Sequence, residues 1–104
     1  MSSKQIQLEA KLFKGFADKS RLLILETLSA GRKSVTEITE ETGLSQPNTS
    51  AHLTCLLECG LIRKEKKGRE VFYEVSTNEV SKIMESIRKI LKKYSKEIYD
   101  CTRY

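Results

Sequence analysis

"LSQPNTSAHLTCLLECGLIRKEKKGREVFYEVS", residues 44–76, decides the fold. Ser45 is of N-cap type, able to accept from a first-turn N–H. Pro47 is tolerated just inside, where its missing N–H has no intrahelical partner. The spacing predicts a helix over about 46–59, ended by Gly60. On a helical wheel Leu53, Leu56 and Leu57 fall within about 100° of one another and define a core face. Ser45, Asn48, His52, Cys55 and Cys59 form a second stripe opposite, with Gln46 and Thr49 beside its first half. Beyond Gly60, two strand-like runs flank Lys67-Gly68, with Val71, Tyr73 and Val75 alternating with Phe72 and Glu74. That pattern predicts a β-hairpin.

Upstream, Ser34 with Glu37 three residues on is a capping-box opening. It predicts a short helix over about 35–42, closed by Gly43. Asp18 caps an earlier helix that ends near Gly31, with Leu22, Leu23, Leu25 and Leu28 expected to bury one side. Ile6, Leu8, Leu12, Phe13 and Phe16 place a first helix at about 4–16. Val80, Ile83, Met84, Ile87, Ile90, Leu91, Tyr94 and Ile98 place a long last helix at about 78–99. The predicted fold is mainly α with a small β-hairpin, in the order ααααββα. The third and fourth helices with their three-residue turn make a helix-turn-helix, and the hairpin makes it a winged helix. Repeats, low-complexity segments and linkers are not evident, so a single domain over 1–104 is expected. The first and last helices are not needed for the winged core. Their apolar stripes must pack on their own domain or form a homodimer seam.

Composition narrows the function. The 104 residues are 38% hydrophobic and 32% charged, with a formal net charge of +5 and a pI near 9.2. A small basic domain suits an anionic partner, commonly nucleic acid. No apolar run approaches the ~20 residues of a membrane helix, and "MSSKQIQLEA" has no signal-type apolar stretch. The expectation is a cytoplasmic protein without a membrane partner, its thiols kept reduced. Three cysteines argue against a disulfide framework and leave metal binding, redox sensing or chance. One histidine, no Gly-rich phosphate loop and no paired acids or activated nucleophile argue against an enzyme.

The charge concentrates where DNA would want it. "RKEKKGR", residues 63–69, sets Arg63, Lys64, Lys66, Lys67 and Arg69 against Glu65 alone. Such a loop beside a helix-turn-helix can contact flanking phosphates or enter a minor groove. Short polar side chains on the first half of the fourth helix suit base edges in a major groove. Arg88 and lysines 82, 89, 92, 93 and 96 read as a solvated face.

The stretches "FADKSRLLILETL" and "VTEITEETGLSQPNTSAHLTCLLECGLIRKEKKGREVFYEV", with a terminal helix, resemble the ArsR/SmtB winged-helix repressors over residues 12–98. The resemblance implies a homodimer joined through the first and last helices. It implies binding to double-stranded operator DNA with an inverted repeat, repression, and release on inducer binding. It places Ser45, Gln46, Asn48, Thr49, Ser50 and His52 toward DNA, with Arg69 in the wing beside Lys66 and Lys67.

Metal sites differ between branches of that family. The third helix reads "KSVTEI", without a thiol, and the last helix has no histidine. What remains is "CLLEC", Cys55 and Cys59, with Cys101 in "IYDCTRY". That pattern is similar to CmtR-type cadmium/lead sensors, implying Cys55, Cys59 and Cys101 as ligands. Side chains four apart on a helix are neighbours, and thiolates select soft ions. Cadmium or lead is the expected inducer, with zinc or arsenite as alternatives. A thiol-redox regulator on the same scaffold, and a constitutive DNA-binding protein with incidental cysteines, stay open.

Overall fold

The computed structural model describes residues 1–100, with the side chains at 95, 98 and 99 left aside. The chain runs α1 (Ser3–Phe16), α2 (Lys19–Ser29), β1 (Lys33–Ser34), α3 (Val35–Thr42), α4 (Gln46–Glu58), β2 (Ile62–Lys67), β3 (Glu70–Val75) and α5 (Asn78–Tyr99). It is a winged helix-turn-helix, as the sequence predicts.

Local chemistry sets the boundaries. Ser34 Oγ accepts from Glu37 N at 3.2 Å and Glu37 Oε1 accepts from Ser34 N at 2.9 Å, closing the capping box on α3. That backbone hydrogen bond holds the Glu37 carboxyl below its ordinary range. Gly43, at φ 74°, ends α3 in the left-handed region that glycine enters at least cost. Ser45 Oγ accepts from Asn48 N at 3.2 Å and opens α4.

The structure adds a strand that periodicity misses. β1 has only two residues, too few to alternate, yet it pairs antiparallel with β3 at Lys33↔Tyr73 and Ser34↔Phe72. The sheet order is β1-β3-β2, so β3 is central and the wing is rooted against the start of α3. The buried face of α2 also differs from expectation. Ile24, Leu25 and Leu28 are buried, whereas Leu23 is 39% exposed. With four apolar residues in succession at 22–25, the packing partners select the inward face, and the pattern alone does not.

The core gathers Phe16, Ile24, Leu25, Leu28, Ile38, Leu53, Leu56, Leu61 and Ile62 from α1 through β2. α5 joins it only through its first turns, by Val80 and Met84. Farther along, Ile90, Leu91 and Tyr94 are exposed, as are Ile6, Leu8, Leu12 and Phe13 on α1. The backbone of α5 departs from helical geometry at Tyr94. No helix described is long and apolar enough to cross a membrane.

Candidate nucleic-acid interface and thiol pair

The fourth helix carries both candidate sites. Gln46, Asn48 and Ser50 are exposed along its first two turns, and Ser45 is exposed as its cap. Thr49 is not: it is fully buried, and its Oγ1 has no hydrogen-bond partner among the described residues. This corrects the expectation that Thr49 faces DNA. It lies four residues before Leu53 and seven before Leu56, hence on the leucine face. Both the wheel reading, which sets Thr49 beside the polar stripe, and the family motif misplace it, although its spacing from Leu53 and Leu56 puts it on the leucine side. Because the hydroxyl is an orphan in the core, Thr49→Val should raise unfolding stability by about 1 kcal/mol and leave DNA affinity unchanged. Urea denaturation and a binding titration check the two halves; weakened DNA binding in a stable variant would restore Thr49 to the interface.

His52 is half-buried and leans back onto the start of α2. Its Nε2 lies 3.8 Å from Asp18 Oδ2, the oxygen that also caps α2 by accepting from Arg21 N at 3.0 Å. That backbone hydrogen bond, aided by Arg21 and His52, holds the Asp18 carboxyl below its ordinary range. Arg21 donates from Nε to Gly15 O at 3.0 Å and from Nη2 to Lys14 O at 2.8 Å, clasping the end of α1. Sequence reasoning passed over this clasp. Its signal was a cation three residues after a cap, close to the unsatisfied carbonyls of the preceding helix.

The wing tip is a two-residue turn, Gly68-Arg69, between β2 and β3. Glycine at φ 64° permits it. Arg63 Nε donates to Glu74 Oε1 at 2.7 Å, from the residue directly opposite on β3. Glu65 lies 3.9 Å from Arg32, whose guanidinium sits 5.1 Å from the Phe72 ring centroid. Arg63 is therefore committed to the sheet. Lys66, Lys67 and Arg69 are exposed and make no ion pair among the described residues.

Cys55 and Cys59 are half-buried free thiols at the other end of α4. Cys59 is the C-cap, its N–H bonded to Cys55 O at 3.0 Å. It faces a cleft of about 170 Å³ lined by Leu8, Lys11, Leu12, Glu58 and Cys59 itself. A Cβ placed on Gly15 would come within 2.7 Å of Leu61 Cδ1, so glycine leaves room for that buried side chain, while Cys59 Sγ, 3.7 Å away, would be in ordinary contact. Burial pushes the Cys59 thiol above its ordinary range, and the neighbouring Cys55 adds to the shift. Two thiols are half a soft-metal site; among the described residues no His, Cys, Asp or Glu cluster of three completes it. Cys101 lies outside the described residues.

Known proteins bear on what this scaffold is. Residues 18–64, from the α2 cap through the first residues of the wing, match the family described as bacterial regulatory protein, arsR family. Over 94 residues the chain is 31% identical to the probable mercury resistance operon repressor of Streptomyces lividans, covering 90% of this chain and 75% of that protein. The chain belongs to the arsR family of bacterial regulatory proteins. The arsenical resistance operon repressor of Bacillus subtilis is 37% identical over 73 residues, 69% of this chain and 70% of that one. The crystal structure of Mycobacterium tuberculosis Rv0081 superposes with a TM-score of 0.85 at 26% identity, covering 94% and 99% of the two chains. This arsR-family chain is thus a DNA-binding transcriptional regulator, a non-enzymatic class.

Proposed function

We propose that the protein is a metal-responsive repressor, a homodimer on an inverted-repeat operator that lets go when a soft ion binds its thiolates. The observation that carries this reading is the placement of two half-buried thiols on the helix whose first turns expose Gln46, Asn48 and Ser50. An ion held by Cys55 and Cys59, with Cys101 as third donor, would act on the same rigid element that meets DNA. The donors are soft, which suits cadmium or lead above oxygen-seeking ions. Two relatives carry names tied to mercury and arsenical resistance, both elements that thiolates bind.

The dimer is part of the proposal. Phe13 is 66% exposed and Ile90 53%, and together with Ile83 and Ile87 they line one groove between α1 and α5. A second copy covering it would bring two α4 helices into one assembly, one for each half of the inverted repeat. Cys59 touches α1, so strain at the thiols reaches a seam helix directly.

The test is cadmium titration into the operator complex. Wild type should lose DNA affinity by roughly 5- to 150-fold, the span of ordinary coupling energies. Cys55→Ser should show no metal-driven loss; equal release from both ends the proposal. Cys101→Ser, read by thiolate-to-metal absorption, asks separately about the third donor. The thiol-redox reading uses the same residues, but a thiol pushed upward is short of the reactive thiolate. Loss of DNA binding on mild oxidation without metal, reversed by dithiothreitol, is the result that would favour it.

The raised Cys59 thiol gives the pH dependence its sign. At neutral pH Cys59 holds its proton, and metal must displace it. Apparent cadmium affinity should therefore rise with pH, about tenfold per unit for each proton displaced. Calorimetry in two buffers of different ionisation heat counts those protons; a pH-independent affinity would place the metal elsewhere.

A further inference from the structure

The net positive charge of this chain sits in two places. Residues 63–69, in the wing, hold five cations and one acid, and residues 86–96, from the middle of α5 onward, hold five cations and no acid. The remaining residues hold nine cations against thirteen acids, a net negative surface. A polyanion is drawn to both patches and repelled by the rest. The wing patch is absorbed by operator binding. The α5 patch is not.

The α5 cations have a definite layout. Lys89 and Lys92 fall on one side of the helix, opposite Val80, Met84, Ile87 and Leu91, and Lys96 follows beyond the departure from helical geometry at Tyr94. All three lysines are exposed and make no ion pair among the described residues. Arg88 is engaged with Glu26 at 2.6 Å, and Lys93 Nζ sits 5.6 Å from the Tyr94 ring centroid. Glu85 lies beside Arg88, Lys89 and Lys92 and marks the N-terminal limit of the cationic stretch. From Lys89 to Lys92 the helix rises about 5 Å. A duplex carries about three phosphate charges over that length, at one per ~1.7 Å.

We propose that the stretch of α5 carrying Lys89, Lys92 and Lys96 binds the phosphate backbone of duplex DNA outside the operator, as a second surface separate from α4 and the wing. This rests on the DNA-binding reading above. Charge complementarity selects the occupant. Protein partners are anchored by buried aromatic or apolar residues, and Lys89 and Lys92 have no such residue between them on their face. A bilayer would require the apolar side of α5 to insert, but its first turns are committed to the protein core through Val80 and Met84. Flexible point charges are enough for a phosphate backbone and read no sequence.

The experiment compares the full-length wild type, K89Q/K92Q/K96Q, and the wing variant K66Q/K67Q/R69Q on a non-operator duplex over a range of salt. Sedimentation confirms that each keeps the wild-type oligomeric state. The α5 variant is expected to lower the slope of log affinity against log salt by about 0.9 for each lysine engaged. Its affinity for a minimal operator duplex should equal that of wild type. The wing variant should retain weak binding to the non-operator duplex, and adding the α5 substitutions should abolish it. An unchanged slope in the α5 variant, with a lowered slope in the wing variant, overturns the second surface and leaves operator binding standing. Absence of any DNA binding by wild type fails the DNA reading itself. If the α5 substitutions spare duplex binding but abolish binding to vesicles of equal phosphatidylglycerol and phosphatidylcholine, the partner is lipid and the proposal is overturned.

Discussion

Raising monovalent salt from about 50 to about 200 mM should weaken the operator complex on the order of a thousandfold, and the wing should account for most of it. Lys66, Lys67 and Arg69 are three cations per protomer, six in the proposed dimer. Each phosphate neutralised contributes about 0.9 to the log–log salt slope, so six give a slope near −5. A fourfold change in salt then gives roughly 10³. These side chains are exposed and make no ion pair among the described residues, so replacing them with glutamine should cost the fold within about 0.5 kcal/mol. Arg63 is the instructive contrast. It belongs to the same basic run, but its guanidinium is bonded to Glu74, and Arg63→Gln should move the slope less than any tip residue. Fluorescence anisotropy on an operator duplex at five salt concentrations reads the slope. A wing variant with the wild-type slope would show that the hairpin does not dock.

The second large effect is on the fold. Leu56 is fully buried beneath the outer face of α4, in a cluster with Leu53, Ile24, Leu25 and Ile38. Leu56→Ala should lose about 2–5 kcal/mol, the transfer term plus the cavity left behind. Domains of this size are stable by about 5–15 kcal/mol, so the variant stands near the edge of folding. Its melting temperature should fall by roughly 10–30 °C, measured at the wild-type protomer concentration because association adds to stability. Wherever circular dichroism shows the variant folded, its operator affinity should match wild type. A loss of affinity in the fully folded variant would mean that packing under α4 tunes its DNA-facing side.

The parts legible in the sequence were those set by local chemistry. The α3 capping box, Gly43, Ser45 and the hairpin around Gly68 each satisfy or release specific backbone groups, and each fell where it was placed. The parts that were not legible depend on what an element packs against. β1 is a strand only because β3 lies beside it. Ile24 rather than Leu23 enters the core because of the side of α2 that packs on α3 and α4. Thr49, set beside the polar stripe by the wheel and toward DNA by the resemblance, is in the core because it lies four and seven residues from Leu53 and Leu56. Spacing pairs the thiols, but the contact of Cys59 with α1 near Gly15 is set by packing, which helical periodicity does not mark.

Only Gly60 and Leu61 lie between Cys59, the C-cap of α4, and β2, and both are held. Gly60 takes φ 76°, Leu61 is buried and donates its N–H to Leu56 O at 3.0 Å, and Ser76 returns from β3 to bond both carbonyls. Helix and hairpin therefore reach DNA already fixed relative to each other. No segment between them has to order on docking, so the conformational-entropy penalty typical of flexible arms is absent at this joint. The heat-capacity change of association then reports the contact surface alone, without the extra burial that accompanies coupled folding.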